Sequence, residues 1–152
     1  MFNYNKKVFN IYNGFEDNEK PQLLKDKNKF LCNICKELCE AILTCKIIQS
    51  PNKLIINIDY GKNKKFKTSK ILFDEEIDIT RFINFNFNTN IRYKIICVCT
   101  YLGQSESYEH YIAYCRHRLT GQWYKFIDSS CNECNVKEIY TGNPYLLLYE
   151  KI

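Results

Sequence analysis

From Phe30 onward the chain consists of short apolar runs rich in β-branched and aromatic residues, set apart by turn signals, and nowhere is a 3.6-residue period sustained. That pattern restricts the fold to one made chiefly of antiparallel strands. Residues 41–48 and 53–60 read as two strands separated by the turn signal Gln49-Ser50-Pro51-Asn52. Residues 71–73, 92–101, 110–116, 122–127 and 144–150 carry the same composition. Residues 76–83 alternate over their first half and are ambiguous between strand and short helix. A short helix is expected near 136–140, and another stretch of helix is compatible with 19–25. Residues 1–29 are otherwise a polar lead-in broken by Gly14 and Pro21.

With 152 residues, 45% of them hydrophobic and 15% aromatic, against only 3 Pro and 5 Gly, one domain with a sizeable core is expected. The longest apolar runs, 95–98 and 145–149, fall far short of the ~20 residues a membrane-crossing helix needs. The net charge of +5 is largely local, in Lys62, Lys64, Lys65, Lys67 and Lys70. That run lacks the interleaved arginines and aromatics that read bases, so it is taken as a solvated hairpin tip rather than a nucleic-acid surface. Nine cysteines is an odd number, and residues 1–7 (Met-Phe-Asn-Tyr-Asn-Lys-Lys) lack the apolar stretch of an export signal. Reduced thiols in cytoplasm or nucleus are the expectation.

Cys32-Asn-Ile-Cys35 has the spacing that lets one tight turn supply two corners of a tetrahedral zinc site. Half a zinc site, a redox pair and two unrelated thiols are the competing readings; the redox pair lacks its βαβ context. Cys39 and Cys45 would join only if the chain folded back sharply, and Cys39 is expected on a different face. Cys131-Asn-Glu-Cys134 repeats the spacing, but the usual separation between such pairs is roughly 12 to 20 residues. It is read as coincidence. Of the two histidines, His117 sits in a basic loop and is expected to be solvated, whereas His110 opens the strand Tyr111-Ile-Ala-Tyr114. If the following loop is 117–121, Arg116 pairs with Gln122 and the same ladder sets Asp128 opposite His110. A slip would set Ile127 there instead, since register decides which face each side chain takes. A structural His–Asp pair and a catalytic one both fit.

The runs 93–103, 110–114, 123–126, 128–130 and 144–149, in that order and spacing, resemble the C-terminal half of a ubiquitin-specific protease catalytic domain. Cys32-x-x-Cys35 followed by 51–60 resembles that family's second zinc-finger pair leading into a long palm strand, and 73–80 the segment after it. The resemblance covers roughly residues 30 to 150. It implies an α+β, predominantly antiparallel β fold: the palm sheet and finger ribbon of a papain-like cysteine peptidase, without the helical thumb. Residues 30–60 would be the fingers ribbon and 61–152 the palm, with 1–29 part of the fingers or partly disordered.

Deubiquitination follows as the implied activity, hydrolysis of the bond after ubiquitin's C-terminal glycine, with ubiquitin or a ubiquitinated protein as partner and no membrane or nucleic acid. His110 is the implied general base. Three departures from the family pattern bear on this. None of the nine cysteines lies in the Gly/Asn-rich box that holds the nucleophile. Glu109 stands where the family usually has Gly, and with Tyr111 it flanks the channel for the ubiquitin tail. Ile127 stands where an Asp or Asn orients the histidine, leaving Asp128, which matches the adjacent family aspartate, to take over that role. No cofactor is required for catalysis; Cys32 and Cys35 imply half of a structural zinc site in a complete domain. The alternative is a non-catalytic ubiquitin-binding module, a pseudoprotease or gene remnant.

Overall fold

A computed structural model describes residues 8–60, 70–84, 90–102 and 110–152. Glu109, most of the lysine run and most of the Asn-rich connector lie outside them. Strand β1 (Val8–Asn10) leads into α1 (Ile11–Glu19). Helix α1 starts where Asn10 closes a capping box: its side chain accepts from the Tyr12 N–H at 2.9 Å, and Asn13 accepts from the Asn10 N–H at 3.1 Å. Helix therefore ends where residues 19–25 were expected to begin it. The reason is Pro21, which bars helical geometry at the residue before it; Lys20 is extended (ψ 126°) and 22–24 becomes β2 (Gln22–Leu24).

Short paired strands follow: β3 (Phe30–Leu31), β4 (Leu38–Cys39) and β5 (Ala41–Leu43). β2 pairs with β5 and β3 with β4, both antiparallel. Only the first part of the expected strand 41–48 is a strand. Next come β6 (Lys53–Asn57), β7 (Lys70–Leu72) and β8 (Glu76–Asp78), the last running into a 3₁₀ turn at Thr80–Phe82, so the ambiguous segment is strand and helix in turn. β7 pairs in parallel with β1. The remainder is β9 (Arg92–Leu102), β10 (His110–Arg116), β11 (Trp123–Ile127), β12 (Ser130–Cys134), a 3₁₀ turn at Val136–Tyr140 and β13 (Asn143–Lys151).

Seven strands form one antiparallel sheet in the order β12-β11-β10-β9-β13-β6, with β8 also on β9. β6 is thus bonded into the large sheet, within the span 30–60 that the resemblance gives to the ribbon. β13 lies between β9 and β6, and the register on its β9 side shifts twice. At Ile96 the long strand β9 holds an extra residue, so Tyr93, Ile95, Val98 and Thr100 all turn to the core despite the change of parity. Opposite the other shift, Tyr145 is the extra residue of β13. The buried face is filled by these residues with Leu147, Tyr149, Ile112, Tyr114 and Trp123, and by Ile77, Ile79 and Ile139 packed over them. Its two deepest phenols are satisfied: Tyr93 donates to the Pro51 carbonyl at 2.6 Å and Tyr149 to the Asp74 carbonyl at 2.8 Å.

Candidate active site at the open end of the palm sheet

His110 is the first residue of β10, exposed, and paired through its backbone register with Leu102 of the central strand. Its parity is that of Ile112 and Tyr114, so it lies on the face of β10 that buries the core. Tyr111 lies on the opposite face. There Tyr101 and Tyr145 meet its ring edge-on, with centroids 5.5 and 5.3 Å away, and Tyr111 stays 47% exposed. The sequence pattern pointed to Tyr111 alone. Its two companions become visible only with the β9–β10 register and the extra residue in β13.

The β10–β11 hairpin is offset by one residue from the register that sets Asp128 opposite His110. Arg116 pairs with Trp123, and the ladder runs to Ala113 and Phe126. The cause is the turn. The His117 N–H donates to the Gln122 carbonyl at 2.7 Å and the Gly121 N–H to the His117 carbonyl at 2.9 Å. These bonds close residues 118–121 into a four-residue loop in place of the five expected. Gly121 at φ 75° makes that closure possible. With this register it is Ile127 that shares a face with Ile112 and His110. Asp128 instead sits in the turn joining β11 to β12, exposed and at φ 49°, and no hydrogen bond joins it to His110. His117 is exposed, as expected, its Nδ1 3.2 Å from the Thr120 N–H.

Cys32 and Cys35 occupy a tight turn between β3 and β4, fixed by the Lys36 N–H on the Cys32 carbonyl and the Cys32 N–H on the Glu37 carbonyl, both 2.9 Å. The backbone N–H groups of Cys35 and Ile34 face the Cys32 sulfur and hold its pKa below that of an ordinary thiol. Cys39 does not point away from this turn. Lys36 at φ 62° reverses the chain so sharply that Cys39 pairs with Phe30 and brings its sulfur 3.6 Å from that of Cys35. Even so, among the described residues no group of three or more His, Cys, Asp or Glu is placed to hold a metal ion. The residues present do not by themselves fit a closed zinc site. Cys131 and Cys134 lie three apart on the extended strand β12, hence on opposite faces, and cannot form a comparable turn.

A cleft of about 310 Å³ lies between the start of α1 and β6, lined by Ile11, Gly14, Ile56, Ile58 and Ile71; none of the candidate site residues borders it. Among the described residues no helix is long and apolar enough to cross a membrane.

A mostly antiparallel sheet with a single helix is the fold of ubiquitin-specific protease domains. The family model described as ubiquitin carboxyl-terminal hydrolase matches residues 12–149, and the chain belongs to that family. Ubiquitin carboxyl-terminal hydrolase 2 of Bos taurus is 28% identical over 136 residues, which are 86% of this chain and 22% of that protein. Among solved structures, the Ubp8/Sgf11/Sus1/Sgf73 DUB module of SAGA bound to ubiquitin aldehyde superposes with a TM-score of 0.76 at 24% identity. It covers 95% of this chain and 34% of the matched one. A structure of the yeast SAGA DUB module gives the same TM-score, identity and coverage. The chain therefore spans only 22% and 34% of the lengths of these relatives.

Proposed function

We propose that this chain is the histidine-bearing part of a deubiquitinase that cleaves the bond after ubiquitin's C-terminal glycine. The observation that carries the reading is the placement of His110: exposed, on the first residue of β10, and anchored to the central strand of the large sheet, in a chain that matches the family from residue 12 to 149. In this role His110 takes the proton from a cysteine thiol and returns it to the leaving amine. None of the nine cysteines has the family's nucleophile context, so the thiol comes from sequence outside this chain. Asp128, one residue past β11, is the orienter. In the resting arrangement it makes no bond to the imidazole, and such contacts commonly tighten only when substrate is bound. Glu109 and Tyr111, the sequence neighbours of His110, take part in admitting the ubiquitin tail, as the family resemblance implies.

One observation favours a second reading, a ubiquitin-binding module without turnover: the residue sharing a face with His110 is Ile127, which cannot accept an imidazole N–H. Hydrolysis of a fluorogenic ubiquitin substrate by a complete domain carrying this chain separates the two. We expect slow turnover that is abolished by His110→Ala and reduced by Asp128→Ala. The double change Glu109→Gly/Ile127→Asn should raise kcat/KM at least about tenfold, equivalent to about 1.4 kcal/mol. Tight ubiquitin binding with no turnover in any of these proteins would establish the second reading. Cys32 and Cys35 supply two zinc donors when the remaining ligands come from elsewhere in the complete domain. Nine free thiols suit a reducing compartment, cytoplasm or nucleus.

A further inference from the structure

The face of the palm sheet turned away from the core carries a thiol cluster that the proposed hydrolysis does not use. Cys97 on β9 and Cys115 on β10 are directly opposed in the antiparallel ladder, and their sulfurs lie 3.5 Å apart. Cys99, two residues along on the same face of β9, also contacts Cys97. All three are half-buried. Directly opposed antiparallel residues hold their Cα atoms about 4.5 or 5.5 Å apart, inside the range a disulfide spans. The hydrogen bonds in which the Cys97 S–H donates to the Cys115 and Cys99 sulfurs, and then burial, keep the proton on Cys97, while the same contacts hold the thiols of Cys99 and Cys115 down at about 7. A thiolate and a protonated partner thus stand within reach of each other on rigid strands.

We propose that Cys97 and Cys115 form a reversible cross-strand disulfide when the protein meets a peroxide. The Cys115 thiolate attacks one peroxide oxygen; an S–O bond forms, the O–O bond breaks and hydroxide leaves. Cys97 then attacks the resulting sulfenic sulfur, the S–S bond forms and the S–O bond breaks. The Cys97 proton and a solvent proton convert the two departing hydroxides to water. Two thiols are oxidised by two electrons and one peroxide becomes two waters. The bond ties β10, the strand that begins with His110, to the central strand.

The test uses the full chain treated with hydrogen peroxide, blocked with iodoacetamide and cut with trypsin and a glutamate-specific protease. Cleavage at Lys94, Glu106, Glu109 and Arg116 separates the two cysteine segments. Residues 95–106 linked to 110–116, lighter by two hydrogens than the free peptides and released by dithiothreitol, are the expected result. The link should survive Cys99→Ser and Cys131→Ser and disappear in Cys97→Ser. Oxidation of Cys115 to its sulfinic acid without a link, or a link that persists in Cys97→Ser and vanishes in Cys99→Ser, overturns the proposal. The wild-type measurement needs no variant to fold.

Discussion

A phenol taken out of water keeps its hydroxyl only where an acceptor waits, and the two deepest tyrosines each reach a loop carbonyl. Tyr149 is fully buried and its hydroxyl joins the last strand to Asp74, just after β7. Tyr149→Phe leaves that carbonyl without its donor, a loss of about 1–3 kcal/mol. We expect a lower urea midpoint at unchanged slope, whereas Tyr145→Phe, on the exposed face, should leave the midpoint where it is. Burial also holds these phenols neutral. Tyr60, which donates to the Pro144 carbonyl, is pushed up to about 12, against about 10 in an unfolded chain. Below pH 10 both states keep the proton, so the contribution is complete. Above it the unfolded state ionises first, and stability is lost progressively between about pH 10 and 12. Chemical denaturation across that window should show a smaller fall for Tyr60→Phe; an unchanged fall would assign the loss to other groups.

At the scale of elements, two glycines make opposite forecasts. Gly142 packs against Thr100, which is 1% exposed; a Cβ there would stand 2.9 Å from the Thr100 Cβ. Gly142→Ala should cost about 1–3 kcal/mol, because the threonine has nowhere to go. Gly14 lies in α1 with nothing within 4 Å of an added Cβ, so Gly14→Ala should stabilise by about 0.4–1 kcal/mol. Thermal melts of both variants check the pair of signs. Elements of this sheet were largely readable from the sequence wherever apolar runs were long: His110–Arg116 was placed to the residue, and β9 and β13 to within one. β12 was not, since Ser-Cys-Asn-Glu-Cys has no apolar alternation; it is a strand because β11 offers it an edge. The histidine was legible through the family spacing, but its surroundings were not. A single residue in the 118–121 turn decides whether Asp128 or Ile127 lies on its side of the sheet, and loop length does not declare itself in composition. The nearness of Cys39 to Cys35 was hidden for the same reason, resting on one left-handed residue, Lys36.

For the molecule as a whole, the sheet is stitched by pairs far apart in sequence: Lys53 on β6 lies beside Glu150 on β13, and an ion pair joins their side chains. β13 separates β9 from β6, so without it β6 has no partner in the sheet and the core loses Leu147 and Tyr149. A chain ending at Gly142 should therefore show no cooperative denaturant transition, only gradual change in circular dichroism; a sharp transition would mean that β8 to β12 fold alone. Contacts of such long range also make folding slow, since their loops must close before the pairing stabilises anything.

The same arrangement bears on how the protein is made. A ribosome delivers β13 nearly a hundred residues after its neighbour β6. At the ~5–20 residues per second of translation, the half-exposed apolar side of β6 stands open for several seconds before β13 emerges. During that interval an unpaired strand beside an unfilled core is a natural client for a chaperone. A nascent chain stalled before residue 143 should be held by one, and should let go once residue 151 has cleared the exit tunnel.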